Sequence, residues 1–164
     1  MAYVKPNPPQ EDRWEMTWEE VEQACDALVE EILTKDIVQV KTILAVAKGG
    51  VVPAALVWQR FPRAAFNTIR VSSYLAHGKQ KPRVEWPNRM SIYDWNDPST
   101  LIIDDICDSG DTFAALREYL PYARYACMLK REGNSFDCHY HQWVAPQGTW
   151  VMFPWEKVHD KHKA

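Results

Sequence analysis

One short stretch of the chain, residues 100–113 (TLIIDDICDSGDTF), brings carboxylates and hydroxyls together around a glycine. Two adjacent acids, Asp104 and Asp105, can hold a sugar diol, directly or through hydrated Mg²⁺, which usually takes only one or two carboxylates. The loop that follows can bind a phosphate, because several N–H groups can point at one anion and the dipole of the next helix favours negative charge. Its residues are Asp108, Ser109, Gly110, Asp111 and Thr112. This stretch therefore predicts phosphate binding beside a pair of acids.

The residues before the acids predict the element that positions them. Thr100 to Ile103 are all apolar or β-branched, which indicates a buried strand that runs into the acids. Open α/β sheets bind ligands in the crevice beyond the carboxyl ends of their strands. Helix capping or a solvated loop would also place acids at a strand end, but capping alone does not require carboxylates, hydroxyls and glycine at this spacing. We therefore favour a ligand site.

A second glycine-containing turn, Ala47-Lys48-Gly49-Gly50, follows the apolar run 42–47 and precedes a helical pattern. Two glycines allow the backbone to approach an anion closely, and the lysine adds positive charge. A Gly-Gly sequence on its own is more often an ordinary turn. Its combination with the acidic loop favours a second anion site, formed by Lys48, Gly49 and Gly50.

Strand and helix patterns alternate from residue 17 to about residue 130. Thr17-Trp18-Glu19-Glu20 is typical of a capping box, with Met16 and Val21 as a hydrophobic staple, and its helix should end near residues 34–36. The other predicted elements are strands at 42–47, 66–74 and 125–130 and helices at 51–60 and 112–120. This alternation predicts an α/β fold with a central, mainly parallel sheet flanked by helices.

The chain is expected to form one domain with an extension. Residues 1–13 are rich in proline and polar side chains and predict an N-terminal arm, whereas residues 14–164 predict a single domain. Within that domain, residues 75–96 carry several cations and show no period. They predict a long loop or an irregular hairpin, and segments of this size often serve as lids.

Composition narrows the function classes. The net charge of -3 and the absence of a basic patch argue against a nucleic-acid partner. No apolar run approaches the roughly 18 residues of a membrane span, and the N-terminus lacks the apolar core of a signal sequence, so we expect a cytoplasmic protein without a membrane partner. The four cysteines lack CxxC spacing, which indicates neither a zinc site nor a disulfide framework.

The acidic stretch resembles the phosphoribosyl-pyrophosphate signature of the type I phosphoribosyltransferases: a hydrophobic strand, two acids, two variable residues, Asp, Ser or Thr, Gly, any residue, Thr. Every position of this pattern matches. Further segments resemble the bacterial xanthine–guanine phosphoribosyltransferases in order and spacing, namely WEMTWEEVEQACDALVEEIL, ILAVAKGGVVPAALV, VSSY and GTWVMFPWEK. The resemblance implies the type I phosphoribosyltransferase fold, with a small hood at about 131–157 and a flexible lid at about 75–96.

The same resemblance implies roles for the anion-site residues. Asp104 and Asp105 would face the ribose diol and Mg²⁺, and residues 108–112 would cradle the 5′-phosphate. The Lys48-Gly49-Gly50 turn would bind pyrophosphate, and in purine phosphoribosyltransferases the peptide bond entering this turn is often cis. Asp108 would be the catalytic carboxylate near N7 of the purine.

Four further residues match the purine-binding positions of the family. Lys130 matches the lysine that donates to the 6-oxo group, although a solvated lysine at a strand end is the plain alternative. Trp150 matches the aromatic that stacks on the base, although a packed core aromatic is the alternative in a chain with eight tryptophans. Val151 matches the residue whose backbone reads the edge of the base, and Glu156 falls near the 2-position.

The implied function is transfer of a 5-phosphoribosyl group from phosphoribosyl pyrophosphate to a purine base, by a homodimer or homotetramer. Lys130 favours a 6-oxopurine over adenine, because a cationic donor pairs poorly with another donor. Two alternatives stay open: a non-catalytic regulator that binds phosphoribosyl pyrophosphate or a nucleotide, and an enzyme with another acceptor (a pyrimidine or water). The preference among guanine, xanthine and hypoxanthine also stays open, as does the lid cation that reaches pyrophosphate (Lys79, Lys81 or Arg83).

Overall fold

A six-stranded sheet lies at the centre of the computed structural model, which describes residues 12–35, 39–76, 79–87 and 91–156. The elements follow in the order β1 (Arg13–Glu15), α1 (Trp18–Lys35), β2 (Thr42–Ala47), α2 (Val51–Trp58), β3 (Ala65–Ala76), β4 (Lys79–Glu85), α3 (Ser91–Trp95), β5 (Thr100–Cys107), α4 (Asp111–Tyr119), β6 (Arg124–Arg131), β7 (Tyr140–Ala145) and β8 (Trp150–Met152). The large sheet has the order β4-β3-β2-β5-β6-β7. All its pairs are parallel except β3–β4, so the predicted, mainly parallel sheet is confirmed.

Helices cover both faces of this sheet because its central strands are apolar on both sides. In β5, Leu101 and Ile103 belong to the core cluster that contains the buried residues of α1 and α2. The intervening Ile102 belongs to a second cluster, with Phe113 and Leu116 of α4. Alternate residues of one strand therefore face opposite helical layers, as the period of two in a strand requires.

The predicted capping box opens α1. The Thr17 N–H donates to Oε2 of Glu20 at 2.7 Å, and the Glu20 N–H donates to Oγ1 of Thr17 at 3.1 Å. Met16 and Val21, the residues of the predicted staple, are both fully buried. The helix ends at Lys35, within the expected range.

The region between residues 75 and 96 contains a hairpin, which was one of its two predicted forms. β4 pairs with β3 in antiparallel register and forms the edge of the large sheet. An edge strand tolerates Pro82, because its missing N–H would face away from the neighbouring strand. The short helix α3 follows, and its Trp95 is buried in the α4 layer. The side chains of Lys79 and Lys81 lie outside the described residues.

A small second sheet joins distant parts of the sequence. β1 pairs in parallel with β8, with Arg13 opposite Trp150 and Trp14 opposite Val151. The Trp150 N–H also donates to the carbonyl of Asp12 at 2.7 Å. Of the segment predicted as an arm, Arg13 therefore belongs to this sheet and Asp12 accepts a hydrogen bond from it. Residues 1–11 lie outside the described part of the chain.

Of the helices in the described ranges, none combines the length and apolar character that crossing a membrane requires.

Candidate active site

The two predicted anion loops lie side by side because β2 and β5 are parallel neighbours. Ile43 and Leu101 are register partners, so both strands end at the same edge of the sheet. A Cβ atom added to Gly49 would lie 2.2 Å from Oδ2 of Asp105, and one added to Gly50 would lie 2.4 Å from the carbonyl oxygen of Ile103. Both glycines are therefore required for the turn to pack against the acidic strand.

The Ala47–Lys48 peptide bond is cis, as the resemblance implied for the entrance to this turn. The turn is closed by two hydrogen bonds, from the Gly50 N–H to the Val46 carbonyl at 2.8 Å and from the Val51 N–H to the Lys48 carbonyl at 3.2 Å. Lys48 itself is exposed. Its ammonium group is thus available to an anion that binds at this edge.

Asp104 and Asp105 form a pair of adjacent carboxylates near the end of β5. The Asp105 N–H donates to Oδ1 of Asp104 at 2.9 Å, and the Ile106 N–H donates to Oδ1 of Asp105 at 2.7 Å. Burial, followed by the charge of Asp105, raises the pKa of Asp104 well above its ordinary value. Burial also raises the pKa of Asp105, and the negative charge of Glu156 adds to this rise.

This pair fits a divalent cation. The two carboxylates repel each other and are partly withdrawn from water, so each carries an electrostatic penalty that a cation would relieve. Adjacent carboxylates that leave coordination positions for water and substrate match the way in which Mg²⁺ is bound. Asp104 and Asp105 are therefore the residues that would hold it.

The loop 108–112 forms the N-terminal end of α4. Gly110 has a φ of +88°, which favours glycine, and a Cβ atom there would lie 2.9 Å from Cβ of Phe136. The Asp111 N–H donates to Oγ of Ser109 at 3.2 Å. A recess of about 70 Å³ opens at this helix end, lined by Asp104, Ile106, Cys107, Asp108, Ser109, Gly110, Thr112 and Phe113. Its position at a helix N-terminus suits a phosphate group.

Asp108 lines this recess and contacts Arg131, a residue that the sequence patterns did not single out. Its side chain is 65% exposed, and its Oδ1 lies 2.6 Å from Nε of Arg131. Asn134 holds the backbone beside it, because its Nδ2 donates to the carbonyls of Asp108 at 2.7 Å and Cys107 at 3.0 Å. The one signal in the sequence is that Arg131 follows Lys130 directly.

A cleft of about 690 Å³ brings Asp108 and Trp150 together. Its other lining residues are Ser109, Arg131, Glu132, Gly133, Asn134, Gln147, Gly148 and Thr149. Trp150 is 69% exposed, so it is not a packed core aromatic, whereas Val151 beneath it is buried. An exposed indole beside a carboxylate is a suitable surface for a planar heterocycle, which can stack and donate a hydrogen bond.

Lys130 and Glu156, the remaining predicted purine residues, do not line this cleft. Lys130 lies at the end of β6, opposite Cys107 in β5 and Val144 in β7, and is partly buried. The Glu156 carboxylate accepts the Phe153 N–H at 2.9 Å and so closes the turn after β8.

Comparison with known proteins assigns the chain to a family. The family model of the phosphoribosyl transferase domain matches residues 17–130. The chain therefore belongs to the phosphoribosyltransferases. More particularly, it is 34% identical to a xanthine-guanine phosphoribosyltransferase of Gluconobacter oxydans over 144 residues, which cover 86% of this chain and 83% of that protein.

Solved structures show the same fold. A purine phosphoribosyltransferase from Pyrococcus horikoshii superposes with a TM-score of 0.71 at 24% identity, over 88% of this chain and 94% of its own. The xanthine-guanine-hypoxanthine phosphoribosyltransferase of Helicobacter pylori gives a TM-score of 0.73 at 18% identity, over 92% and 99% of the two chains.

Proposed function

We propose that this protein transfers the 5-phosphoribosyl group of phosphoribosyl pyrophosphate to a 6-oxopurine, giving a nucleoside monophosphate and pyrophosphate. The observation that carries the proposal is the cleft that Asp108 and Trp150 share, next to two anion loops at one edge of the sheet. The identity to a xanthine-guanine phosphoribosyltransferase supports it.

The leaving group of the reaction is pyrophosphate, and it departs toward the Lys48 turn. As the bond from C1 of the ribose to the pyrophosphate oxygen lengthens, C1 becomes positively charged and the pyrophosphate gains negative charge. The exposed Lys48 stabilises that charge. Mg²⁺, held by Asp104 and Asp105, would supply further neutralisation of the pyrophosphate when bound.

The loop formed by residues 108–112 orients the ribose for reaction. Residues 108–112 hold the 5′-phosphate at the end of α4, far from the reacting carbon. Binding there fixes the position of C1, so that part of the entropic cost of bringing the reactants together is met before reaction. The predicted lid, residues 75–96, would close over the reactants and exclude the water that could otherwise attack C1.

The purine is bound between Asp108 and the residues of the hood. Trp150 stacks on the ring, and Asp108 accepts or shares the proton at N7 while another purine nitrogen attacks C1. The resemblance assigns Lys130 to the 6-oxo group, the Val151 backbone to the edge of the base and Glu156 to the 2-position. Lys130 and Glu156 lie outside the cleft lining described above, so these two roles rest on the resemblance alone. A lysine donor at the 6-position selects 6-oxopurines against adenine.

Pyrophosphate release tests this function. The protein would be incubated with Mg²⁺ and phosphoribosyl pyrophosphate, with guanine, xanthine, hypoxanthine, adenine, uracil or no base. We expect release that depends on one or more of the three 6-oxopurines. Release without a base would identify a hydrolase, and release with uracil would identify a different acceptor. Binding of phosphoribosyl pyrophosphate without release in any reaction would identify a regulator.

A further inference from the structure

Arg131 makes contacts that join two parts of the cleft. We propose that Arg131 is a positioning residue for the transfer reaction: it holds one oxygen of Asp108, so that the other receives the N7 proton, and it fixes the segment that carries Trp150. This inference rests on the proposed function and adds a residue to it.

The first contact orients the acid. Arg131 is 14% exposed along its side chain and Asp108 is 65% exposed, so the better-packed partner restrains the freer one. Nε of Arg131 lies 2.6 Å from Oδ1 of Asp108. Within the part of the chain that the structure describes, the second carboxylate oxygen of Asp108 accepts no hydrogen bond. It is therefore free to accept a proton or hydrogen bond from a base in the cleft.

The second set of contacts fixes the loop before β8. Nη1 of Arg131 donates to the carbonyls of Pro146 and Thr149, both at 2.8 Å. Thr149 immediately precedes Trp150, so this bond restrains the backbone from which the indole extends. The Gln147 N–H donates to Oε2 of Glu132 at 3.2 Å and ties the same loop to the residue after Arg131.

Arginine is suited to this task and lysine is not. A guanidinium presents its donors in a planar fork, so one group can bind a carboxylate through Nε and two carbonyls through Nη1. The carbonyls are neutral, so the positive charge stays available to Asp108. An ammonium group is a point charge and cannot hold all three acceptors in this geometry.

A double-mutant cycle tests the link to Asp108. Arg131→Met, Asp108→Asn and the double variant would be compared in kcat and in KM for each substrate. We expect Arg131→Met to lower kcat about 10- to 100-fold, because a misplaced catalytic group is costly. In the Asp108→Asn background, the same change should lower kcat by less than about 3-fold, because residues that act as a unit are not additive.

The KM for the purine base tests the second role of Arg131, which is to hold the loop that precedes β8. Loss of the Pro146 and Thr149 contacts should raise the base KM in both backgrounds, whereas the KM for phosphoribosyl pyrophosphate should stay within about 3-fold. Arg131→Lys should recover part of kcat but not the base KM. Arg60→Met is the control, because Arg60 makes an exposed ion pair with Asp26 and does not line the cleft. It should leave every constant unchanged.

Each outcome bears on a distinct claim. An equal kcat loss in both Asp108 backgrounds, or no loss in either, would overturn the positioning role. An unchanged base KM would overturn the role in holding the loop. A wild-type protein that releases no pyrophosphate would overturn the proposed function and this inference with it. Circular dichroism melts of all variants identify any variant that fails to fold, and Arg131→Lys then carries the comparison.

Discussion

Asp104 and Asp105, in β5, differ from Asp108, just after it, in burial and in the charges around them. Asp104 and Asp105 are partly buried and close together, and their pKa values are raised. Asp108 is largely exposed to the cleft and lies against a guanidinium. Asp104 and Asp108 are only four positions apart. The Asp104–Asp105 pair nevertheless suits cation and ribose binding, whereas Asp108 suits proton transfer.

Replacement of the exposed acid should separate chemistry from binding. We expect Asp108→Asn to lower kcat about 100-fold or more, because general base catalysis contributes on the order of 10²–10⁴. The Kd for phosphoribosyl pyrophosphate should change by less than about 3-fold, since an amide keeps the size of the side chain. Steady-state pyrophosphate release and calorimetric titration measure the two quantities. Equal losses in both would contradict the assignment of Asp108.

Trp150 should contribute to base binding and little to stability. Base–aromatic stacking is worth about 1–3 kcal/mol in comparable sites, so Trp150→Ala should raise the base KM about 10-fold. Because the indole is exposed, the melting temperature should change little. Trp150→Phe should retain most of the binding. Trp58→Ala, at the end of α2, is a control outside the cleft, and an equal KM change there would contradict the stacking role.

The residues that could not be predicted are those whose partners are distant in sequence. Asp104, Asp105 and Asp108 are recognisable because a strand, two acids and a glycine loop follow one another within a few positions. Arg131 lies far from Asp108 and Pro146, and no local pattern shows that its guanidinium reaches both. Its contacts depend on the register of β5, β6 and the loop after β7.

At the scale of elements, local patterns located the central strands and helices well. β2 spans the predicted residues 42–47, because an apolar run is bounded by a turn at Lys48. β3 is longer than predicted and ends at Ala76, because its partner β4 extends the pairing beyond the apolar residues. α2 ends at Trp58, two residues earlier than predicted.

The contact between the β2 turn and β5 can be tested at Gly49. A Cβ atom at this position would overlap the Asp105 carboxylate, so Gly49→Ala should displace the acid or the turn. We expect the Kd for phosphoribosyl pyrophosphate with Mg²⁺ to rise about 10-fold or more. In the proposed function, the Asp105 carboxylate and the Lys48 turn both bind this substrate, so displacement of either weakens binding. Calorimetric titration measures this loss.

Gly133→Ala provides the matched comparison. Gly133 has a left-handed backbone, with a φ of +76°, but a Cβ atom there has no neighbour within 4 Å, so the substitution fills no close contact. Its substitution costs about 1–2 kcal/mol for the backbone alone and should leave the affinity for phosphoribosyl pyrophosphate unchanged. Equal affinity for the Gly49 variant and the wild type would show that the turn does not depend on this close approach.

At the scale of the whole molecule, the raised pKa values of the β5 acids reduce stability at neutral pH. A carboxyl whose pKa is raised by folding binds more protons in the native state, so stability falls as the pH rises from its ordinary pKa of 3.8 to the raised value. Above that range, the full cost in stability of the buried, ionised carboxylate is present. Below it, both states are protonated and the penalty is absent.

Asp104→Asn should therefore stabilise the protein without Mg²⁺. We expect a higher melting temperature at pH 7, by about 2–4 °C for each kcal/mol of relieved penalty, and a gain that shrinks toward pH 4. Added Mg²⁺ should raise the melting temperature of the wild type more than that of the variant. Asp26→Asn, an exposed surface change, is the charge control. A gain that is the same at pH 4 and pH 7 would contradict the burial argument.

The pairing of β1 with β8 also sets an order in which the cleft can be completed during synthesis. Residues 48–112, which include both proposed anion loops, leave the ribosome well before residue 150. β1 emerges earlier still, and its parallel partner is absent until translation has passed Met152. The side of the cleft that carries Trp150 can therefore be completed only after both loops have been synthesised. Trp150, which we propose contacts the purine, is added last, when the two most widely separated strands of the described chain meet.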